Sequence, residues 1–390
     1  MRVCLILERL DPRIGGREAY TCSLVTQLAD RGVDVAVICQ SAQWSHNGVT
    51  VLPLTARGIS RHRRLTNFVS DAQRLLAGER FDVVHAMLPM PGADICHSHS
   101  GTVPAQYLSS LRRRNMTRLL ARLMRGLNFS RRVSGRFERD IARDPRTICL
   151  CVSGMVAREF EDHYGRRENV RVIWNGATIP ADYPARREEW RQSHRRQIGA
   201  GDGQTVFLTV AANLELKGVP QAIEAMAQMA QDQSTPPAML VVVGGNKPKS
   251  IKRCEALAHR RGVGDRVVFL GHRSDIFEWY AAADALVQLS WYDSCSLAIL
   301  EALGCGVPCI ASSFAGASEL LSKGGGIIVN SPSDIPDVGA AMRVMTDPLS
   351  RAEHAKACRH VAADFTPQRH VEQILKLYRE VAVLKNGSNE

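Results

Sequence analysis

Short apolar runs alternate with amphipathic stretches of helical period through the first 176 residues. Amphipathic segments fall at 17–29, 64–77 and 154–164. The apolar runs have the length and continuity of strands that are buried on both faces of a parallel sheet, and they cover residues 3–7, 33–39, 49–54, 81–85, 147–152 and 170–174. Strands that alternate with helices predict a doubly wound α/β sheet, in which ligands bind at the carboxyl ends of the strands.

The same alternation resumes after a polar stretch, residues 177–203, which is interrupted by Pro180 and Pro184. A chain of 390 residues is long for one domain and suits two. We therefore predict a second α/β domain over residues 177–366. Its strands are predicted at 205–211, 239–243, 267–270, 284–289, 308–312 and 327–330, and its later helices at 334–345 and 351–365.

One stretch of the second domain, residues 291–310, carries two acids, Asp293 and Glu301, among apolar and small residues. If the stretch is helical from Ser294 as N-cap, the eight-residue spacing puts the carboxylates roughly 12 Å apart along the axis and under a quarter-turn around it. The first free amides would then form an anion site between the acids, contributed by Cys295, Ser296 and Leu297. This order suits a nucleotide sugar, which has hydroxyls at both ends and phosphate in the middle. The alternative is that Glu301 is a surface residue of an ordinary amphipathic helix.

Two other turns have the residues of phosphate-binding or ligand-facing loops. Gly15 and Gly16 stand where the first predicted strand gives way to a helix, and there glycine permits close approach of a ligand to the backbone. Lys217 stands beside Gly218 at a strand-to-helix turn of the second domain, where an ammonium can contact a phosphate. The sequence lacks G-x-G-x-x-G at the first turn, so a dinucleotide is not indicated.

Composition restricts the class of protein. A hydrophobic content of 45% with 23% charged residues excludes a disordered chain. The eleven cysteines are scattered and lack any C-x-x-C pair, which favours reduced, buried thiols over a disulfide framework or a metal site. The N-terminus lacks the features of a signal peptide, and no run reaches 18 apolar residues. These features predict a cytoplasmic enzyme.

The net charge of +11 is concentrated in one region. Residues 112–146 contain twelve arginines and three acids, a balance of +9. Within 119–129 leucines recur at helical spacing, flanked by Arg118, Arg122 and Arg125. This pattern predicts a basic amphipathic helix that contacts an anionic membrane or a phosphorylated acceptor. The alternative is a solvated face. Nucleic acid is not expected, because the region has few aromatic residues and no recognisable binding module.

Several motifs resemble those of family 4 retaining glycosyltransferases. The segment from Asp293 to Glu301 is similar to the D/E-x7-E signature of that family, and Gly316–Glu319 to its G-x-x-E element. Other elements bring the chain close to the bacterial lipopolysaccharide core glucosyltransferase branch, namely M-P-G-x-D at 90–94, V-I-x-N-G at 172–176 and the G-x-N-K-P run at 244–248. The resemblance covers nearly the whole chain, and its most specific motifs lie in the second half.

The resemblance implies the GT-B fold, in which two Rossmann-like domains face each other across a cleft, with the C-terminal helix, 367–390, returning to an acceptor-side first domain, 1–176. It implies that Asp293 holds donor-sugar hydroxyls, that Glu301 holds ribose hydroxyls and that Lys217 contacts the diphosphate. The implied donor contacts are Gly15, Gly16, Gly244, Arg273, Cys295, Ser296 and Leu297. Where the family usually has a basic residue five positions before the lysine, this chain has Ala212, so the diphosphate clamp differs.

The implied reaction transfers a hexose, glucose in the nearest branch, from a nucleotide diphosphate sugar such as UDP-glucose to a glycan or glycolipid acceptor of the cell envelope. We expect no metal and no other cofactor, because no D-x-D motif stands in a suitable loop. His97 and His99 are predicted on the acceptor side, and hydrogen-bonded structural histidines are the alternative. Two other functions stay open: a nucleotide-sugar epimerase that uses Glu8, Asp11, Glu18 or Asp94, and a non-catalytic protein that binds anionic lipid or nucleic acid.

Overall fold

The structure is a computed structural model and describes residues 1–114, 128–232, 234–245 and 247–387. It consists of two compact units. The N-terminal unit comprises residues 1–175 together with 368–390, and the C-terminal unit comprises residues 176–367. The two domain boundaries predicted from the sequence lie after residue 176 and before residue 367.

The N-terminal unit is built on a parallel sheet of seven strands in the order β5-β3-β1-β6-β7-β8-β9. The apolar residues of the five inner strands are buried on both faces, as the continuous apolar runs require, while those of the two edge strands are partly exposed. The strands are β1 (Arg2–Ile6), β3 (Asp34–Cys39), β5 (Val49–Pro53), β6 (Val83–Ala86), β7 (Ile95–Ser98), β8 (Ile148–Cys151) and β9 (Val170–Val172). A small parallel pair, β2 (Arg9–Leu10) and β4 (Ser41–Ala42), lies outside the sheet.

Two apolar cores cover the faces of this sheet. One of them includes Val371, Ile374 and Tyr378 of the C-terminal helix, so the predicted return of that helix to the first domain is confirmed. The helices of the unit are α1 (Gly16–Ala29), α2 (Arg61–Gly78), α3 (Val103–Arg114), α4 (Phe129–Arg143), α5 (Gly154–Tyr164) and α13 (Pro367–Gly387).

The C-terminal unit has a six-stranded parallel sheet in the order β12-β11-β10-β13-β14-β15. The strands are β10 (Thr205–Ala211), β11 (Ala238–Gly244), β12 (Val267–Gly271), β13 (Ala285–Gln288), β14 (Cys309–Ser312) and β15 (Gly326–Val329). Because β10 and β13 are direct neighbours, the loops that follow them emerge side by side at the carboxyl edge.

The helices of this unit pack around the sheet, and one apolar core of the described residues contains side chains of both. They are α6 (Tyr183–Gln197), α7 (Val219–Ala230), α8 (Pro248–Arg260), α9 (Ile276–Ala282), α10 (Leu297–Gly304), α11 (Ile335–Thr346) and α12 (Pro348–Ala362). Short 3-10 helices cover Gly264–Arg266 and Gly316–Lys323. Two Rossmann-like α/β units, as predicted, are therefore present.

All eleven cysteines lie in the described ranges, and each is buried and outside any disulfide. The prediction of reduced, buried thiols is thus confirmed. Within the described ranges, no helix combines the length and apolarity needed to cross a bilayer.

Candidate functional site

The central feature of the C-terminal unit is an ion pair between Lys217 and Asp293. Lys217 lies in the loop after β10, and Asp293 lies in the loop after the neighbouring strand β13. The amide of Trp291 donates to the carbonyl of Leu216 at 2.8 Å, which ties the two loops together beside the pair. Both side chains keep partial exposure, 21% for the lysine and 13% for the acid, so a ligand can reach them.

Local backbone geometry explains why Lys217 reaches Asp293. The side-chain oxygen of Asn213 accepts a hydrogen bond of 3.1 Å from the amide of Leu216, and its backbone carbonyl accepts one of 3.0 Å from the amide of Lys217. These two bonds close a turn. Gly218 follows with φ of +72°, a left-handed conformation that favours glycine. A Cβ at this position would stand 2.1 Å from the carbonyl oxygen of Leu289, so only glycine lets the loop pack this closely on the chain after β13.

Asp293 is held by its own backbone as well. Its amide donates to the carbonyl of Phe314 at 3.0 Å, and its carbonyl accepts the amide of Gly316 at 2.7 Å. These bonds attach the loop after β13 to the loop after β14, where the G-x-x-E element begins. The carboxylate is therefore presented from a fixed backbone.

Glu301, the second acid of the motif, lies on α10 and is partly exposed. Its carboxylate accepts a hydrogen bond of 2.8 Å from the hydroxyl of Tyr280, a fully buried residue at the end of α9. Burial raises the pKa of Glu301 to about 7, and the hydrogen bond from Tyr280 opposes that rise. No local pattern in the sequence points to Tyr280, because its contact with Glu301 joins residues 21 positions apart. Glu301 is thus not an ordinary surface acid.

The predicted start of the helix was wrong. Helix α10 begins at Leu297, and its N-cap is Ser296 rather than Ser294. Residues 293–296 form an irregular loop, so the helical estimate of the spacing between the two acids does not apply. The unbonded amides at the start of the helix are those of Leu297 and its neighbour, while Cys295 and Ser296 precede it. In the described part of the chain, the Ser296 hydroxyl is buried without a hydrogen-bond partner.

The other predicted donor contacts are three glycines, which lie at element ends, and an arginine in an ion pair. Gly15 and Gly16 are exposed at the N-terminus of α1. Gly244 ends β11 with φ of +111°, and a Cβ there would stand 2.3 Å from the carbonyl oxygen of Ala211, so packing between strands already requires this glycine. Arg273 forms a bidentate ion pair with Asp275, with Nε to Oδ1 at 2.8 Å. That arginine holds the pKa of Asp275 below its ordinary value.

In the N-terminal unit, His97 and His99 belong to a packed group of aromatic rings. His97 is buried, with Nδ1 at 3.2 Å from Nε2 of His85, and His85 in turn contacts the hydroxyl of Tyr378 at 2.6 Å. Burial lowers the pKa of His85 and of His99 to about 3, and it lowers that of His97 well below the ordinary value. These rings are therefore neutral near pH 7. The structure gives His97 the hydrogen-bonded surroundings of a structural histidine, and only His99 is partly exposed.

The acids suggested for an epimerase are mostly occupied by ion pairs. Asp11 pairs with Arg13, and Glu18 pairs with Arg17. The carboxylate of Asp94 accepts a hydrogen bond of 2.8 Å from the amide of Val84 and one of 2.9 Å from the ammonium of Lys385. These contacts account for the three acids as structural residues of their own unit.

The predicted basic helix lies mainly outside the described residues, and so do Arg118, Arg122 and Arg125. The described helices that flank this region, α3 and α4, line a cavity of ≈ 1440 Å³. Its basic lining consists of His62, Arg113, Arg114, Arg131, Arg132, Arg136, Arg139, Arg143 and His163. Positive charge is therefore concentrated on this part of the N-terminal unit.

Both units match known families. Residues 14–179 match the Glycosyltransferase Family 4 model, and residues 191–361 match the Glycosyl transferases group 1 model. The chain therefore belongs to the glycosyltransferases of this type and has the GT-B fold. The predictions of this family and of a glycosyltransferase enzyme are confirmed. Enzymes of this class use a nucleotide-sugar donor and a glycan acceptor.

The chain is similar to lipopolysaccharide glucosyltransferase WaaG of Escherichia coli K12, with 24% identity over 89% of this chain and 91% of that protein. The crystal structure of WaaG superposes with a TM-score of 0.78 and 23% identity, covering 96% of this chain and 99% of WaaG. D-inositol 3-phosphate glycosyltransferase of Corynebacterium diphtheriae is 24% identical, over 95% and 91% of the two chains. Anabaena Alr3699/HepE, crystallised with UDP-glucose, has a TM-score of 0.69 and 20% identity, covering 97% and 100%.

Proposed function

We propose that this glycosyltransferase transfers a hexose, glucose in the first instance, from UDP-glucose to a hydroxyl of a lipopolysaccharide-core-like or other cell-envelope glycan or lipid. The anomeric configuration is retained. The observation that carries this proposal is the contact between Lys217 and Asp293 on the loops after two adjacent parallel strands. That position is where α/β sheets bind ligands, and it joins one cation for phosphate to one carboxylate for sugar hydroxyls.

Each residue of the site has a proposed role in this reaction. Asp293 accepts hydrogen bonds from hydroxyls of the donor sugar, and Glu301 accepts them from the ribose. Lys217 and the amides at the start of α10 stabilise the diphosphate as negative charge develops on it. The buried Ser296 hydroxyl supplies a further donor beside those amides. Cys295 and Leu297 contribute backbone to the same loop, and Arg273 contacts the nucleotide base after exchanging its bond to Asp275.

The acceptor hydroxyl is the nucleophile. Its oxygen bonds to the anomeric carbon on the face from which the diphosphate departs, and its proton passes to a leaving phosphate oxygen. The bond between the anomeric carbon and the phosphate oxygen breaks in the same process. We propose that Lys217 and the helix amides neutralise the leaving group without a divalent ion. The chain has Ala212 where the resemblance to the family implies a second basic residue, and we propose that the Ser296 region compensates.

The choice of substrates comes from the relatives. WaaG is a lipopolysaccharide glucosyltransferase, and HepE was crystallised with UDP-glucose. The relative from Corynebacterium uses D-inositol 3-phosphate, which is a phosphorylated acceptor. The basic lining of the cavity between α3 and α4 suits a phosphorylated or acidic acceptor. We assign acceptor binding to the N-terminal unit, with the partly exposed His99 among its contacts and His97 behind it.

We also propose that the enzyme acts in the cytoplasm as a peripheral protein on the inner face of the cytoplasmic membrane. The support is the excess of positive charge over residues 112–146 and the attraction of anionic lipids for such segments. Changing Arg118, Arg122 and Arg125 to glutamine removes about 3 kcal/mol of this attraction, or about 100-fold in affinity. Vesicle sedimentation with phosphatidylglycerol measures the loss, and equal binding by wild type and variant would contradict it. The matched control changes three exposed arginines of the other unit, Arg186, Arg196 and Arg260.

A panel of nucleotide sugars tests the donor. The protein is heated with UDP-glucose, UDP-N-acetylglucosamine, GDP-mannose or ADP-glucose, and release of the nucleotide is followed in parallel. UDP-glucose at 100 times its Kd stabilises the folded protein by about 2.7 kcal/mol, and the other donors stabilise it less. EDTA leaves this stabilisation and the rate of transfer unchanged. Greater stabilisation by a different donor, or transfer that EDTA abolishes and Mg²⁺ restores, contradicts the proposal.

A further inference from the structure

A second group of ligating side chains lies in the C-terminal unit, away from the roles proposed above for Lys217, Asp293 and Glu301. Within the described residues, one cluster brings three potential metal ligands together: His194 of α6, with Asp275 and Glu278 at the start of α9. Their ligand atoms all lie within 4.8 Å of one another. Asp275 and Glu278 are three residues apart and therefore share a face of the chain.

The imidazole of His194 is oriented by a backbone contact. Its Nδ1 lies 3.1 Å from the carbonyl oxygen of Trp190, an acceptor that requires a proton on Nδ1. In the neutral ring the lone pair is then on Nε2, which lies 3.5 Å from Oδ2 of Asp275 and 3.3 Å from Oε2 of Glu278. Nε2 can face the two carboxylates as the donor of an imidazolium, or it can share a metal ion with them. Histidines that bind metals are typically fixed in this way, with the second nitrogen donating to a carbonyl.

The separations between these atoms favour a metal ion over a simple ion pair. Charge-assisted hydrogen bonds are shorter, at about 2.7–2.9 Å. Ligands at about 2.0–2.2 Å from a tetrahedral zinc ion are separated from one another by about 3.4 Å. The two distances from Nε2 of His194, 3.3 and 3.5 Å, are close to this value. These two separations match those of a tetrahedral ligand set, and the third, between the two carboxylates, is at most 4.8 Å.

Burial and access also suit a bound ion. The His194 side chain is 9% exposed, while those of Asp275 and Glu278 are 22% and 31% exposed. An ion can enter from the carboxylate side and keep water as its fourth ligand. Arg273 donates to both oxygens of Asp275, from Nε to Oδ1 at 2.8 Å and from Nη2 to Oδ2 at 2.5 Å, so an ion bound at Oδ2 shares that oxygen with the guanidinium. One nitrogen and two oxygen ligands suit Zn²⁺ better than Mg²⁺, which prefers oxygen ligands alone and octahedral geometry.

We propose that His194, Asp275 and Glu278 form a zinc site that joins α6 to the loop preceding α9. The ion is structural, because none of the three residues contacts the donor or the acceptor in the proposed transfer. The inference goes beyond the glycosyltransferase reaction and does not depend on which donor or acceptor is used.

Calorimetric titration of the EDTA-treated full chain with ZnCl₂ tests the proposal. We expect one equivalent of Zn²⁺ to bind and to raise the melting temperature, and Mg²⁺ to do neither. His194→Gln and Glu278→Gln remove this binding; the second variant alters a partly exposed side chain and keeps the fold. Co²⁺ in place of Zn²⁺ gives the visible spectrum of a tetrahedral site in wild type and not in the variants.

The matched control is His46→Gln. His46 lies 3.4 Å from a single carboxylate, that of Asp30, and lacks a second acid in its ion pair. This variant retains the full zinc affinity. Absence of zinc binding by wild type overturns the proposal, and so does undiminished binding by both His194→Gln and Glu278→Gln. Because the readouts are metal binding and melting temperature, their failure is distinguishable from a failure of sugar transfer.

Discussion

Replacing Glu301 with glutamine should stabilise the protein at alkaline pH while weakening donor binding. Burial raises the pKa of Glu301 from its ordinary value of 4.5 to about 7 in the folded protein. Between these values the folded chain retains a proton that the unfolded chain has lost, so the free energy of unfolding falls as pH rises from 4.5 to 7. At about 1.36 kcal/mol per pKa unit, the loss is about 3 kcal/mol at most. Glutamine, which does not ionise, avoids it.

The assay is urea unfolding of wild type and Glu301→Gln at pH 4.5, 6 and 8, followed by tryptophan fluorescence. The substitution also changes the free energy of unfolding by an amount that does not depend on pH. This amount cancels when the difference in unfolding free energy between the two proteins is compared across pH. We expect the variant to gain relative stability between pH 4.5 and 8, and its KM for the nucleotide sugar to rise. The control is Glu353→Gln, which changes an exposed acid on α12. A pH dependence that is the same in Glu301→Gln and wild type would refute the reasoning.

Three further substitutions test neighbouring parts of the site. Tyr280→Phe removes the donor to Glu301, so the acid limb of the kcat/KM profile should move to higher pH by about 1 to 2 units; an unmoved limb would show that this hydrogen bond does not control the carboxylate. Lys217→Ala should lower kcat by about 10²–10³-fold with little loss of stability, measured as release of UDP, whereas Glu224→Gln, at a surface ion pair, should leave it unchanged. Gly218→Ala should lower the melting temperature, because the new Cβ would meet a carbonyl oxygen at 2.1 Å; an unchanged melting temperature would contradict that packing.

The strands and the order of the two units could be predicted from sequence because continuous apolar runs mark buried parallel strands. Asp293, Glu301 and Lys217 are predicted as site residues because a short motif and a strand-to-helix turn carry local signals. The contact of Lys217 with Asp293 could not be found in this way, since it depends on β10 lying beside β13. The same holds for Tyr280 and for His194, whose partners come from other helices.

The helix start at Leu297 shows a different limit. Ser294 and Ser296 are equally acceptable as N-caps by residue type. The choice between them is made by tertiary contacts, because the amide and carbonyl of Asp293 bond to residues beyond β14 and hold the following loop out of helical geometry. The N-cap preference of a residue type depends only on nearby sequence, so it cannot predict a hydrogen bond to residues more than twenty positions away. Cap positions are for this reason less predictable than the helices that follow them.

Transfer of glucose by Asp293→Asn is the most direct test of the central claim, that the carboxylate beside Lys217 holds the donor sugar. The wild type and the variant are incubated with UDP-glucose and a truncated lipopolysaccharide core, and the mass of the product is measured by mass spectrometry. We expect wild type to add one hexose, and Asp293→Asn to lose nearly all transfer while melting near the wild-type temperature. Full transfer by the variant would contradict the account.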